Sequence, residues 1–257
     1  MTINIDHVKK KQYIDNIKNT FAIRTKFKIN HAYSDFIYGD FKNKICFAFT
    51  PRAGCSIGFQ CYLDLMNLLN DGLTYHPFIH EYRTSLFIPN VKYVDIDILV
   101  KQKFFFIKFI MNPYIRAVSV FRQHTSRNYS FRQFITDLVN NNIDYYNTSE
   151  IYHHRPQYIN GEEKYINKYI RINENETFNF KLQNHATYNI DLNKYSSIHH
   201  GKKNPDKNIF VGDIPLNDIK YNLPSSYKYF YDDDIKKKVE TFYKDDVIKY
   251  NFKFDCF

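Results

Sequence analysis

The sequence predicts an α/β fold: a central parallel sheet flanked by helices, in a single domain over residues 1–257. Three observations carry this. Ile45–Phe49 is an apolar run of strand length. A short loop follows, Thr50-Pro51-Arg52-Ala53-Gly54-Cys55-Ser56, and then Phe59, Tyr62, Leu63, Met66 and Leu69 recur at helical spacing. Phe104–Ile110 is a second apolar strand. It runs into Met111-Asn112-Pro113, where Asn is a good N-cap and Pro suits the first helical position. A chain of 257 residues that is 44% hydrophobic has enough apolar side chains for a sizeable core.

Taken in order, residues 1–43 are polar with scattered aromatics and read as a lead-in to a core over about 44–254. Asp6–Phe27 has helical character and Tyr33–Phe41 is a short extended piece. In the Ile45–Asn70 strand–loop–helix unit, Asp71-Gly72 is expected to end the helix, since Gly just past a helix end is a common stop. Leu73–Ile79 is expected to be a strand, and Val94–Lys101 helical or irregular. The helix after Asn112 is expected over about 113–127, burying Tyr114, Ala117, Val118 and Phe121. Ser130–Asn141 is a further amphipathic helix and Lys168–Ile172 a strand. Glu176–Leu192 fits neither pattern, and residues 193–209 are a polar loop. Residues 232–250 form a last helix. Its acidic start, Asp232-Asp233-Asp234, suits the helix dipole, and Ile235, Val239, Phe242 and Tyr243 mark its buried side. There is no internal repeat and no clear linker.

The formal net charge of +9 points to an anionic partner: a nucleotide, nucleic acid, an acidic glycan or a membrane surface. The basic residues are spread along the chain. Lys9-Lys10-Lys11 and Lys236-Lys237-Lys238 form short runs that read as solvated helix faces, and no nucleic-acid module is legible, so nucleic acid is not an expected partner. Asn, Ile, Lys, Tyr and Phe dominate, the signature of an AT-rich genome. The 18% aromatic content is therefore not read as a base-stacking surface. Cys46, Cys55, Cys61 and Cys256 form no C-x-x-C pair and no zinc spacing, which suits a reducing compartment. The opening residues carry no apolar signal-peptide core. No run approaches the ~18 apolar residues of a membrane span. A soluble, cytoplasmic chain without a membrane partner is the expectation.

Strand, small-residue loop and helix in that order build an anion site. Free N–H groups at the helix start point into the loop and the helix dipole adds positive charge. Arg52 supplies a full charge, and Gly54 allows close backbone approach. The alternative is a strand–turn–helix corner with no ligand. The nucleotide-kinase pattern G-x-x-x-x-G-K-[ST] is absent, which argues against an ATP-dependent enzyme. On the second helix Arg116, Ser119 and Arg122 are spaced i, i+3, i+6, so Ser119 has a guanidinium one turn away on either side. That is either a phosphate grip or a small packing residue between two solvated arginines. If both are anion sites, they can face one crevice at the carboxyl ends of the strands. His76 and His80 are four apart, but Pro77 between them argues against a helical metal pair. No metal is expected.

Four segments together resemble a carbohydrate-type sulfotransferase that uses 3′-phosphoadenosine 5′-phosphosulfate (PAPS). TPRAGCSIGF resembles the family's 5′-phosphosulfate loop. KFFFIKFIMNPYIRAVSVFR resembles its 3′-phosphate motif, HHRPQ its H-x-R-P-Q segment, and VETFYKDDVIKYNF its closing pattern. The resemblance spans about Lys44–Phe254. It implies a P-loop-like three-layer sandwich and in-line transfer of a sulfuryl group to a hydroxyl, in this case of a carbohydrate. It also implies a metal-free site. In that scheme Arg52, Ala53, Gly54, Cys55, Ser56 and Ile57 hold the phosphosulfate, and Ser119 with Arg116 holds the 3′-phosphate. Arg52 stabilises the leaving group and His80 is the first choice of general base, followed by Glu81 and His76, with His154 on the acceptor side. Met111 stands where the family usually carries the Arg that contacts the 3′-phosphate. Lys108, Arg122 and Lys202 are the candidates to supply that charge. The missing charge motivates a second reading, a non-catalytic nucleotide- or glycan-binding module on the same fold. The family's animal members are mostly Golgi membrane proteins. A chain without an anchor or disulfide framework points to a viral or microbial version. The acceptor and the oligomeric state are not legible.

Overall fold

The computed structural model describes residues 7–27, 36–123, 128–142, 153–172, 177–181, 187–195, 209–219, 223–224 and 226–254. The chain divides into two compact units, Met1–Ile110 with Asn160–Ile198, and Met111–Ile159 with His199–Phe257.

The first unit is built on a six-stranded sheet. Its strands are β1 (Ala22–Thr25), β2 (Phe36–Asp40), β3 (Ile45–Phe49), β4 (Lys92–Tyr93), β5 (Phe105–Ile110) and β6 (Lys168–Arg171), in the order β4-β1-β2-β3-β5-β6. The pairs β1–β4, β3–β5 and β5–β6 are parallel, while β2 runs antiparallel to both its neighbours. The result is an α/β unit with a mostly parallel sheet, in which β2 alone is reversed. Its helices are α1 (His7–Lys18), α2 (Cys55–Leu65), α3 (Leu69–Tyr75), α4 (Ile79–Tyr82), α5 (Ile88–Asn90) and α6 (Ile96–Lys101), with a π-turn over Arg83–Phe87 joining α4 to α5. Every residue of β3 is buried, as its unbroken apolar run requires. One face of the sheet meets α2 through an aromatic cluster of Tyr38, Phe47, Phe49, Phe59, Tyr62 and Phe87. A two-stranded antiparallel hairpin, β7 (Thr177–Lys181) and β8 (Thr187–Asp191), occupies the stretch whose sequence fits neither pattern.

Several expectations are corrected here. Residues 1–43 are more than a lead-in, because they supply β1 and β2. The expected helix over Asp6–Phe27 stops at Lys18, and Ala22–Thr25 joins the sheet, where Ala22, Ile23 and Thr25 are buried. Helix α2 ends well before Gly72. Asn67 takes the left-handed conformation (φ 57°), and the N–H groups of Asn67 and Leu68 bond the carbonyls of Asp64 and Leu63. This is a Schellman ending with Asn in the place Gly usually fills. Gly72 instead lies within α3, where a Cβ would come within 2.7 Å of Ile79 Cδ1 and 3.0 Å of Leu63 Cδ1. The glycine serves close packing. Leu73–Ile79, expected as a strand, is the end of α3 and the turn into α4.

The second unit is helical: α7 (Pro113–Phe121), α8 (Phe131–Val139), α9 (Leu216–Ile219), α10 (Asp233–Phe242) and α11 (Lys244–Lys249). The Asn112 side chain accepts the Tyr114 N–H and Pro113 opens α7, as the sequence required. Ser130 and Gln133 close a reciprocal capping box on α8. The final helix is two helices meeting at Tyr243. Tyr114, Phe121, Phe134, Leu138, Ile235 and Val239 belong to the core of this unit. Among the described residues no helix is long and apolar enough to cross a membrane.

Candidate functional site

In the first unit the loop after β3 turns sharply. Arg52 and Gly54 both have positive φ, 63° and 74°, and the Ala53 N–H bonds the Thr50 carbonyl. A positive φ is costly for a residue with a Cβ, so Arg52 is held in place by its surroundings rather than by preference. The first hydrogen bond along α2 runs from the Gly58 N–H to the Gly54 carbonyl at 2.8 Å. The earlier N–H groups, of Cys55, Ser56 and Ile57, therefore have no acceptor within the helix. Gly54 caps this helix without a side-chain hydrogen bond. Its space is already taken by protein: a Cβ there would lie 1.7 Å from Ile172 Cδ1. The close approach expected from a ligand at Gly54 is made by Ile172.

His80 is brought to this loop from 24 residues away. Ile79 and Tyr82 anchor α4 in the core, which turns the intervening His80 toward α2. Its Nε2 lies 2.9 Å from the Ser56 hydroxyl and 3.6 Å from Cys55 Sγ. When Nε2 is unprotonated, the Ser56 hydroxyl donates to it. The Phe78 ring packs edge-on against the imidazole at 4.9 Å, and the Thr84 hydroxyl donates to the His80 carbonyl. Glu81, the next residue, is exposed. His76 works elsewhere, in the turn before α4, where its Nδ1 accepts the Phe78 N–H at 3.0 Å. Among the described residues no group of three or more His, Cys, Asp or Glu side chains could hold a metal ion.

Lys108, a candidate for the missing cofactor charge, is fully buried on β5, with Nζ 2.6 Å from Glu162 Oε2, also fully buried. Its charge is committed within the sheet unit.

In the second unit, the motif residues form a network of their own. Arg116 is fully buried. Its guanidinium donates to the carbonyls of Arg155 (2.7 Å) and His153 (3.0 Å) and lies 5.6 Å from the Tyr243 ring centre. The Tyr243 hydroxyl donates to the His154 carbonyl. The Gln157 amide brackets the backbone of Met111, accepting its N–H at 2.8 Å and donating to its carbonyl at 2.7 Å. Asp246 accepts from the N–H groups of Gln157 and Tyr158 and from the Gln157 side chain. Burial pushes the Asp246 carboxyl upward, against the pull of Arg116 and these donors. H-x-R-P-Q and the closing segment thus support the start of α7. His154, at 2% exposure, packs its ring against Phe134. Ser119 is half-buried on α7, and burial lowers the pKa of the half-buried Arg122 guanidinium. Lys202 lies outside the described residues.

The structure thus assembles Arg52, Ala53, Gly54, Cys55, Ser56, Ile57 and His80 in one place, and gives Arg116 a structural role. Sequence reasoning missed the roles of Gln157 and Asp246, although both stand in the segments it singled out. Comparison with known proteins adds no relative: no family model, no curated protein and no solved structure matches the chain.

Proposed function

We propose that this chain is a PAPS-dependent sulfotransferase of P-loop-like architecture, acting in the cytoplasm on a hydroxyl of a carbohydrate. One observation carries the proposal: an imidazole stands 2.9 Å from the hydroxyl at the start of α2, just after the turn that leaves β3. An anion cradle alone fits any phosphate ligand. An imidazole beside it fits proton abstraction from a hydroxyl.

The donor set suits a phosphosulfate. The N–H groups of Cys55, Ser56 and Ile57 would bind its oxygens, and Arg52 adds the charge. When bound, the cofactor supplies the sulfuryl group on a phosphate that leaves readily. The chain's own work is positioning and charge stabilisation. Arg52 stabilises negative charge growing on the leaving side. An acceptor hydroxyl that replaces Ser56 as the donor to His80 Nε2 hands its proton to that nitrogen. Phe78 restrains the ring.

The test is sulfate transfer from labelled PAPS to a panel of neutral and acidic saccharides. Arg52→Ala and His80→Ala are each expected to lower kcat/KM by about 10²–10⁴. Transfer that survives both substitutions overturns these roles.

The binding-module reading has its own support. Arg116 and Lys108 are committed to internal partners, and Met111 carries no charge. Tight cofactor binding with no transfer to any saccharide hydroxyl would favour it.

A further inference from the structure

We propose that the end of the first unit's sheet opposite the anion loop is a surface that rests on an anionic membrane leaflet. The loop follows the carboxyl end of β3 and this surface surrounds its amino end, so the inference does not depend on the transfer reading. The sequence argues against a membrane partner only through the absence of an apolar span, and contact at the interface needs none.

Aromatic side chains line this end. Ala22 pairs with Asp40, and one step further the Phe41 N–H bonds the Phe21 carbonyl at 2.9 Å. Phe21 and Phe41 therefore stand opposite each other, with their side chains on one side of the strand pair. They are 57% and 37% exposed. The Phe41 ring packs edge-on against Phe104, just before β5, at 5.4 Å. Val100, 40% exposed, lies in the last turn of α6, and the Lys103 N–H closes onto its carbonyl. Apolar surface joined across the ends of three strands marks a contact site, where a single exposed side chain would not.

Lysines frame these rings. Lys42 and Lys44 occupy the turn between β2 and β3, and Lys101 ends α6. All three are exposed and make no ion pair among the described residues. The one carboxylate of the turn, Asp40, is buried and spent on the turn itself, accepting the Lys42 N–H at 2.9 Å and the Asn43 side-chain amide. Lys44, like Lys103 in the turn before β5, takes the left-handed conformation (φ 52° and 58°), a place filled by asparagine at Asn67, Asn141 and Asn251. Asparagine tolerates that conformation better. Lysine at position 44 thus keeps a charge at the tip at a conformational cost.

Exposed aromatics among unpaired ammonium groups suit an anionic lipid interface. The rings enter the boundary between headgroups and acyl chains, and each lysine adds attraction to the surface. A lipid surface yields to such an edge, whereas a protein partner has to match its shape.

The test is co-sedimentation of the full-length protein with phosphatidylcholine vesicles, with and without phosphatidylserine. Binding is expected to be at least about ten-fold tighter with phosphatidylserine present, and to weaken as salt rises. Lys42→Asn/Lys44→Asn should weaken it by about ten-fold or more without lowering the urea midpoint, because asparagine suits the turn. Phe21→Ala/Phe41→Ala should weaken it by about five-fold or more. No binding to either vesicle, equal binding to both, or binding unchanged in either double variant overturns the proposal. So does a dimer of the protein alone that Phe21→Ala/Phe41→Ala dissolves, since a second copy would then cover these rings.

Discussion

Replacing Glu162 by Gln tests the electrostatic logic of the sheet unit. Glu162 and Lys108 are both fully excluded from solvent and meet at 2.6 Å. The substitution keeps the shape and removes the negative charge, so a buried ammonium is left without its counter-ion. Breaking one side of such a pair costs about 3–5 kcal/mol, whereas replacing both members with apolar residues is often neutral or stabilising. With total stabilities of about 5–15 kcal/mol, a loss of that size is a large fraction of the whole. At a urea slope of about 1–3 kcal/mol/M the unfolding midpoint falls by roughly 1–3 M or more. The assay is urea unfolding of wild type, Glu162→Gln, Lys108→Met and the double variant Lys108→Met/Glu162→Leu. Each single variant is expected to be strongly destabilised, and the double variant to sit close to wild type. A single variant within about 1 kcal/mol of wild type refutes the reasoning, because it would mean that the pair is not dry. So does a double variant as damaged as the singles.

Three other outcomes follow from the same contacts. Gly54→Ala places a methyl against Ile172 in a left-handed conformation. It should cost about 2–5 kcal/mol, of which Ile172→Ala in the same chain restores the steric part but not the backbone part; urea melts of the single and double variants separate the two. Asp246 titrates in the opposite sense to an ordinary salt-bridged carboxylate, because burial raises its folded pKa. Its favourable contribution is complete below the unfolded carboxylate value and is lost as pH rises through the raised one. Asp246→Asn, which puts an amide against N–H donors, should therefore be less stable by about 1–3 kcal/mol at low pH, with the gap narrowing as pH rises; a gap that widens contradicts the assigned shift. Ser56→Ala removes the hydroxyl from His80, so in the transfer assay kcat/KM should fall, though by less than in His80→Ala, while the protein stays folded; a loss as large as that of His80→Ala contradicts the assigned roles.

Local signals in the sequence locate much of this. Contiguous apolar runs mark β3 and β5, because a strand buried on both faces has no alternation to obscure it. Asn112-Pro113 and Ser130 with Gln133 mark helix starts through chemistry confined to four residues. Asn67 and Gly72 show the limit. Either can end a helix, and packing of Gly72 against Ile79 and Leu63 decides between them. The short strands β1 and β2 are hard to read because their pairing, rather than their composition, makes them strands. At the site, Thr50–Gly54 is legible as a loop, whereas Cys55 and Ser56, read with it, already belong to α2. The contact of His80 with Ser56 depends on how α4 is anchored. The buried fate of Arg116 depends on carbonyls of His153 and Arg155, which no helical spacing reveals.

The decisive measurement is calorimetric titration of the protein with 3′-phosphoadenosine 5′-phosphate, with ATP and adenosine 5′-phosphate as controls. Micromolar binding is expected for the bisphosphate, at least about ten-fold tighter than for either control, and it should be lost in Arg52→Ala. Absence of binding, or ATP binding just as tightly, would contradict a phosphosulfate site at the start of α2.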